Sequence, residues 1–273
     1  MRVSKALNVR EVGDGPDVLV LAHGFGWNQD VWRRYIDVFR SQFKVVTYDL
    51  ACAPSADRAF FDMLRHREID GYIEDLEQIL LEIDCHRCHF VGHSVSGMIG
   101  LLASLRHPER FAKVITIGAS ACYLKDQDYH GGFDQEGILN MFDAITTDYR
   151  AWAESYAPGA VDQPREHEVT SDFLASLIAM RPDVTLATAQ MILGADYRNA
   201  MVRVSVPTVI LQTKLDPAVP LAAAMFLRDH IRGAQLQILD AVGHMPHLTS
   251  FELVRDALCQ HLHPEAAGAG ATG

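Results

Sequence analysis

The sequence predicts an α/β fold, in which a mostly parallel, doubly wound sheet carries an inserted helical cap. Short apolar runs alternate with helical patterns along residues 18–118, as they do in sheets with helices on both faces. Residues 92–97, Gly-His-Ser-Val-Ser-Gly, lie between a strand pattern and a helical pattern, where a serine can stand on a tight turn. Residues 122–200 contain helical patterns without a clear strand, which predicts an insertion into the sheet domain.

The first five strands are predicted from short runs of apolar or β-branched residues. Alternating polarity over residues 5–12 predicts an opening strand, which the Gly-Asp-Gly-Pro sequence of residues 13–16 would end. Residues 18–22 are continuously apolar, which is typical of a strand buried on both faces of a parallel sheet. Three further strands are predicted at residues 44–49, 88–91 and 111–118.

Helical patterns separate these strands. The first helix is predicted by the apolar spacing of Trp32, Tyr35, Ile36 and Phe39, and an irregular segment is predicted over residues 50–68. Residues 98–105 predict the helix that follows the serine turn. A helix over residues 70–83 would present one apolar face, formed by Ile69, Tyr72, Ile73, Leu76, Ile79, Leu80 and Ile83.

The second half of the chain predicts the cap and the end of the sheet. Helices inserted after a core strand would cover the strand ends, where open α/β sheets bind ligands. We therefore assign residues 1–121 and 200–263 to a core, residues 122–199 to the cap, and the Ala/Gly-rich residues 264–273 to a disordered tail. The predicted cap helices are residues 138–145, 149–156, 171–181 and 184–193; strands at 208–212 and 236–239 and a helix over 251–262 follow.

The composition limits the classes of partner. With a formal net charge of −11 and a pI near 5.6, the chain does not have the balance of Lys and Arg that nucleic-acid binding requires. No apolar run approaches the roughly 18 residues of a membrane span, and residues 1–5 lack the apolar segment of a secretory signal. We therefore expect no nucleic-acid or membrane partner and a cytoplasmic location, with the nucleus as a second compartment.

The five cysteines, at positions 52, 85, 88, 122 and 259, do not form a disulfide framework. Cys85 and Cys88 have the spacing of a zinc or redox pair, and His86 and His89 lie beside them. A zinc site would need a second ligand pair with matching spacing, and the sequence offers none. We interpret the pair as structural and expect neither a metal nor another cofactor.

The candidate nucleophile is Ser94. Strand and helix pass so closely at such a turn that the positions two before and two after the serine need small residues. Gly92 meets this need, and Ser96 stands where the general pattern has glycine. The alternative is that this glycine- and serine-containing stretch is only a turn.

A nucleophilic serine needs a base and a third group that orients the base. In this architecture their order along the chain is serine, acid, histidine, and Ser94, Asp216 and His244 follow that order, the last two each after a predicted strand. His244 would accept the Ser94 proton and return it to the leaving group, while Asp216 would fix the imidazole tautomer. The alternative is that Asp216 forms a turn beside Pro217 and that His244 caps a helix.

An oxyanion hole needs two backbone N–H groups directed at the developing negative charge. We predict the N–H of Val95, which follows the nucleophile, and that of Phe25, in the glycine-containing loop after residues 18–22. His93 and His247 are interpreted as structural. Asp49 also ends a predicted strand, but it precedes the serine and is therefore the weaker candidate for the acid.

At these residues the chain resembles the α/β-hydrolase superfamily, and within it the branch that contains the plant strigolactone and karrikin receptors and a related bacterial stress-pathway hydrolase. The resemblance spans residues 4–262 and rests on residues 22–26, 92–100, 129–136 and 243–248. It implies a four-helix cap in a V over an apolar pocket, slow hydrolysis of a small butenolide ligand, and a signalling partner such as an F-box protein at the cap. The implied pocket is lined by Phe25, Tyr123, Phe133, Phe142, Trp152, Tyr156, Phe173 and Leu193.

The chain also departs from the family pattern. Residues 52–54 are Cys-Ala-Pro where family members usually have Gly-Ala-Gly, which predicts a stiffer loop. Leu193 stands where phenylalanine is common, which predicts a larger pocket, and Tyr123 would add a polar group. These features leave open which butenolide the pocket accepts.

Three functions follow from these patterns. The leading hypothesis is a butenolide receptor, of the strigolactone or karrikin kind, that hydrolyses its ligand slowly through Ser94, His244 and Asp216. The second is a general carboxylesterase or lactonase without a signalling role. The third is a stress-signalling regulator that keeps the three residues as a relic and acts through its cap.

Overall fold

The protein, described from residue 2 to residue 262 by a computed structural model, is built on one seven-stranded sheet. In space the strands follow the order β1-β3-β2-β4-β5-β6-β7, and every neighbouring pair is parallel except β1 with β3. The strands are β1 Arg10–Val12, β2 Asp17–Ala22, β3 Phe43–Tyr48, β4 Cys88–His93, β5 Phe111–Ile117, β6 Thr208–Leu215 and β7 Gln235–Val242. The mostly parallel sheet that the sequence predicted is confirmed.

Helices cover both faces of this sheet. Successive side chains of a strand point to opposite faces, and accordingly Val20 belongs to one hydrophobic cluster while Leu19 and Leu21 belong to the other. Burial on both faces explains why β2 is apolar throughout. The first cluster includes residues of α3 Ile69–Glu82, α4 Val95–Arg106 and α10 Leu221–His230; the second includes residues of α2 Arg33–Phe39 and α12 Phe251–Leu262.

Between β5 and β6 the chain forms four helices, which we call the inserted helices: α5 Gln135–Thr147, α6 Tyr149–Val161, α7 Glu168–Ala179 and α8 Pro182–Leu193. Asp134 accepts a hydrogen bond from the N–H of Gly137 at the start of α5, and Asp148 does the same for Ala151 at the start of α6, so that both N-termini are capped. α5 packs against α6 and α8, and α6 packs against α7.

The predicted opening strand is wrong over most of its length. Residues 3–6 form a short helix, α1 Val3–Ala6, and only Arg10–Val12 pair as a strand. The carboxylate of Glu82, at the end of α3, accepts hydrogen bonds from the N–H groups of Val3 and Ser4 at 3.0 and 2.9 Å. This contact satisfies two N–H groups of the first turn, and it comes from a residue too distant in sequence for the local alternation to reveal.

The sequence also did not predict three helices, α9 Arg198–Met201, α10 and α11 Pro246–Thr249. The predicted disordered tail, residues 264–273, lies outside the described residues. Within residues 2–262 no helix is long and apolar enough to cross a membrane, and no group of three or more His, Cys, Asp or Glu side chains could hold a metal ion. All five cysteines are free thiols.

Candidate active site

Ser94 lies alone between the end of β4 and the start of α4, in a conformation that side chains seldom adopt. Its φ is 54° and its ψ is −123°. A Cβ atom added to Gly92 would come within 2.5 Å of the backbone of Ser96, so the strand and the helix leave room only for glycine at that position. The turn therefore projects the Ser94 hydroxyl beyond the carboxyl end of β4.

This conformation predicts a measurable strain. Ser94→Gly should melt about 2–12 °C higher than Ser94→Ala, because a residue held in a sparsely populated region costs about 1–3 kcal/mol and 1 kcal/mol corresponds to about 2–4 °C at this size. Both variants lose the hydroxyl, so their difference in melting temperature does not depend on it. Equal melting temperatures in a thermal scan would show that the turn is not strained.

The three residues chosen from the sequence meet above the strand ends. His244 Nε2 lies 2.9 Å from Ser94 Oγ, and His244 Nδ1 lies 2.8 Å from Asp216 Oδ2. All three side chains are buried. A carboxylate can only accept at neutral pH, so His244 Nδ1–H donates to Asp216 and leaves Nε2 free to accept the Ser94 proton.

The surroundings of Asp216 keep its carboxylate ionised. Burial opposes its charge, but the attraction of His244 and the hydrogen bonds from His244, Val219 and Ala218 outweigh burial, so the pKa of Asp216 is lowered. Ala218 and Val219 donate their N–H groups to Oδ1 at 2.8 and 2.9 Å, and Gln212 Nε2 lies 3.3 Å from Oδ2. The carboxylate thus remains charged wherever His244 works as a base.

The two residues predicted to form an oxyanion hole lie on either side of the nucleophile. Val95 is the first residue of α4, where N–H groups lack partners within the helix. Phe25 lines the same cavity as Ser94, and a Cβ atom on the preceding Gly24 would come within 3.2 Å of Ser94 Cβ. The loop after β2 therefore approaches the nucleophile closely enough to supply a second donor.

A small cavity of about 40 Å³ lies over Ser94. Six of the eight pocket residues implied by the resemblance line it: Phe25, Tyr123, Phe133, Tyr156, Phe173 and Leu193. Phe142 is not among the lining residues, and this prediction is corrected: its neighbour Met141 faces the cavity, one position away on α5. The sequence did not identify Met141, Ala189, Ile192, Ala218 and Met245, which complete the apolar lining.

A larger groove of about 710 Å³ adjoins this cavity between α5 and α6. Trp152, predicted to line the catalytic pocket, lines this groove instead. The two spaces share Phe133, Met141, Tyr156 and Ala218 as a common wall. These four side chains therefore lie at the boundary between the two spaces.

Tyr123 brings a polar group to the nucleophile. Its hydroxyl lies 3.3 Å from Ser94 Oγ, and burial raises its pKa above the ordinary value of a phenol, so the hydroxyl keeps its proton. Because the Ser94 hydroxyl donates to His244 in this arrangement, the Tyr123 hydroxyl donates to Ser94 Oγ. The sequence suggested a polar group here but could not place it.

The other histidines near the site are buried and neutral. His93 Nε2 lies 2.8 Å from the carbonyl oxygen of His244, and burial, followed by His247 and His244, lowers the pKa of His93 well below its ordinary value. Burial also lowers the pKa of His247 to about 3. Asp49 accepts hydrogen bonds from Gln29 N–H and from the side chain of Asn8, and it therefore serves a separate network.

The fold and this arrangement define the class of protein. A family model described as the alpha/beta hydrolase fold matches residues 17–251, and the chain belongs to this family. Catalysis by members with a serine on such a turn is acyl transfer, which needs a nucleophile, a base and an acid, and the hydrogen-bonded Ser94, His244 and Asp216 have side chains suited to these roles.

Three similar proteins illustrate the match. Strigolactone esterase RMS3 of Pisum sativum is 43% identical over 249 residues, 90% of this chain and 92% of the relative. Karrikin insensitive 2 receptor CA of Petunia hybrida is 37% identical over 97% of this chain and 98% of its own. Among solved structures, a hydrolase from Oleispira antarctica has a TM-score of 0.92 at 28% identity, with 96% of each chain covered.

Proposed function

We propose that this protein is a butenolide receptor that hydrolyses its ligand slowly, with Ser94 as nucleophile, His244 as base and Asp216 as the orienting acid. The observation that carries the proposal is the hydrogen-bonded series from Ser94 Oγ to Asp216 beneath a small, mostly apolar cavity. The names of the relatives, a strigolactone esterase and a karrikin receptor, support the class of ligand.

In the proposed reaction, Ser94 Oγ attacks the ester carbonyl of the ligand while His244 Nε2 takes the hydroxyl proton. The N–H groups of Phe25 and Val95 stabilise the oxyanion of the tetrahedral intermediate. His244 then gives the proton to the leaving group, and an acyl group remains on Ser94. A water molecule, deprotonated by His244, releases the acid and restores the serine.

The size of the cavity supports a coupling between ligand binding and movement of the inserted helices. A cavity of about 40 Å³ is much smaller than a typical ligand pocket, which measures roughly 300–1,000 Å³. The shared wall of Phe133, Met141, Tyr156 and Ala218 must therefore move when a butenolide enters. In this proposal residues 122–199 act as a cap on a core of residues 1–121 and 200–263.

A mobile cap offers a surface that differs between the free and occupied states. We propose that a signalling partner, of which an F-box protein is one candidate, recognises the occupied state. The proposal includes a cytoplasmic location and the nucleus as a second compartment, where such a partner could be met. It requires no metal or cofactor, since acyl transfer by serine needs neither.

The proposal predicts slow, Ser94-dependent cleavage of a synthetic strigolactone-like butenolide, together with a shift in melting temperature, because the wall must rearrange around the ligand. Purified protein and its Ser94→Ala variant would be incubated with the butenolide, and product release, thermal melting and intact mass followed in parallel. A ligand fragment retained on Ser94 would mark the acyl intermediate.

The same experiment separates the receptor from the other hypotheses. Rapid multiple turnover of 4-nitrophenyl acetate, with no thermal shift from the butenolide, would contradict the receptor function and favour a general esterase. Binding of the butenolide without cleavage in the wild-type protein would contradict hydrolysis and favour the regulator with a relic site.

A further inference from the structure

The side chain of His23 lies between two backbone groups at the edge of the active site. His23 follows directly after β2 and is fully buried. Its Nε2 lies 2.9 Å from the N–H of Leu50, and its Nδ1 lies 2.8 Å from the carbonyl oxygen of Gly24. A backbone N–H can only donate and a carbonyl can only accept. The imidazole is therefore neutral, with its proton on Nδ1 and donated to Gly24.

The carbonyl of Gly24 belongs to the peptide group whose N–H is that of Phe25. A trans peptide is planar, and its C=O and N–H point in opposite directions. When His23 fixes the Gly24 carbonyl on one side, the Phe25 N–H is directed to the other side. If this peptide reversed, the Nδ1–H of His23 would lose its acceptor and the Gly24 carbonyl would lose its donor. Both groups would then be buried without this hydrogen bond, which is unfavourable.

The peptide group before it is held as well. The hydroxyl of Ser96 donates to the carbonyl oxygen of His23 at 2.5 Å, and Ser96 is fully buried. Ser96 lies on α4, two residues after the nucleophile, so this bond joins the nucleophile turn to the loop that carries Phe25. Ser96 therefore makes a hydrogen bond that glycine, the residue of the general pattern at this position, could not make.

The two contacts leave the loop little freedom. A Cβ atom on Gly24 would come within 2.5 Å of His93 Nδ1, so the backbone of Gly24 lies directly against the residue before the nucleophile. Burial lowers the pKa of His23, although Asp49 and the bond to Gly24 act in the opposite direction. The imidazole therefore keeps the neutral form in which it donates to Gly24.

We propose that His23 and Ser96 are positioning residues that hold the Gly24–Phe25 peptide in one orientation, with the Phe25 N–H directed at the oxyanion that forms on attack by Ser94. The inference rests on the proposed ester hydrolysis and deepens it: neither residue touches the substrate. Both act through the backbone, and preorganised donors of this kind stabilise the transition state rather than the bound substrate.

Two substitutions of His23 each keep one of its two hydrogen bonds and remove the other. In His23→Asn the side-chain amide can donate to Gly24 O from the position of Nδ1 but cannot reach Leu50. In His23→Gln the amide oxygen can accept from Leu50 at the position of Nε2, but no donor remains for Gly24. Each variant loses one buried hydrogen bond, so a general effect on stability should be similar in both.

The test measures kcat and KM for 4-nitrophenyl acetate and the affinity for phenylboronic acid, whose adduct with a serine is tetrahedral and anionic. His23→Gln should lower kcat and boronate affinity about 10- to 100-fold with KM within about two-fold, since one oxyanion donor contributes about 10²–10³-fold. His23→Asn should recover most of that loss. Ser96→Ala should lower kcat about three- to ten-fold. Equal losses of kcat in His23→Asn and His23→Gln, or a rise in KM with kcat unchanged, would overturn the proposal.

A crystal structure of His23→Gln tests the orientation of the Gly24–Phe25 peptide without a measurement of turnover. The Gly24–Phe25 peptide should be reversed or disordered there and retained in His23→Asn; the wild-type orientation in both variants would refute the positioning role. Wild-type protein with no Ser94-dependent turnover would contradict the proposed function, whereas unchanged kcat in His23→Gln beside an inactive Ser94→Ala would contradict only this inference.

Discussion

Replacing Ser94 by alanine is expected to lower kcat for ester hydrolysis by about 10⁴-fold or more. The substitution removes the atom that attacks the carbonyl and that forms the acyl intermediate. Losses of about 10⁶-fold accompany removal of the nucleophile from a complete serine triad, and the remaining rate comes from the oxyanion hole and binding. A slow enzyme has less rate to lose, so the expected loss here is at the lower end.

A matched control lies on α4, the helix that begins directly after Ser94. Ser104 is also buried, and its hydroxyl donates to the carbonyl oxygen of Leu101. Ser104→Ala should keep kcat within about two-fold, and its melting temperature reports the loss of one buried hydroxyl. Turnover is measured with 4-nitrophenyl acetate, and acylation by intact mass. If Ser94→Ala kept more than a tenth of the wild-type kcat, or still gained the acyl mass, Ser94 would not be the nucleophile.

Asp216→Asn is expected to lower kcat by about 10⁴-fold, because it reverses the tautomer of His244. Ala218 and Val219 donate their N–H groups to Oδ1, so the asparagine must place its oxygen there. Its NH₂ group then takes the position of Oδ2, 2.8 Å from His244 Nδ1, and donates to that nitrogen. The proton of His244 moves to Nε2, which can no longer accept from Ser94.

Gln212 cannot accept a hydrogen bond from the new NH₂ group without losing a hydrogen bond of its own. Its Nε2 lies 3.3 Å from Asp216 Oδ2 and donates to the carbonyl of Val219 at 3.0 Å, so turning its amide to meet the new NH₂ group would give up the bond to Val219. The reversed tautomer is therefore imposed by the surrounding backbone.

The control for Asp216→Asn is the same change at Asp49, the other buried aspartate that follows a strand. Asp49 forms hydrogen bonds with Gln29 and Asn8 and takes no part in the relay, the hydrogen-bonded series of Ser94, His244 and Asp216. Asp49→Asn should therefore keep kcat within about five-fold even where stability falls. The measurement is kcat for both variants with thermal melting as a check on folding. Comparable losses of kcat in the two variants would contradict the assignment of the acid.

Much of the fold and the relay could be predicted from the sequence. The apolar run of residues 18–22 predicted a doubly buried strand because both faces of β2 are covered. The order of Ser94, Asp216 and His244 predicted their meeting because parallel strands bring their carboxyl ends to one edge. The opening strand failed because Glu82 stabilises α1 from across the fold.

Local spacing and chain order were sufficient to predict the strand–turn–helix at Ser94, the order of Ser94, Asp216 and His244, and the alternation of strands and helices that builds the sheet. Tertiary packing was needed to show that Met141 rather than Phe142 faces the cavity, that Tyr123 reaches Ser94, and that Ser96 and His23 form hydrogen bonds with the loop of Phe25. These contacts join residues far apart in the chain, and their existence depends on distances and angles between packed elements that no local pattern specifies.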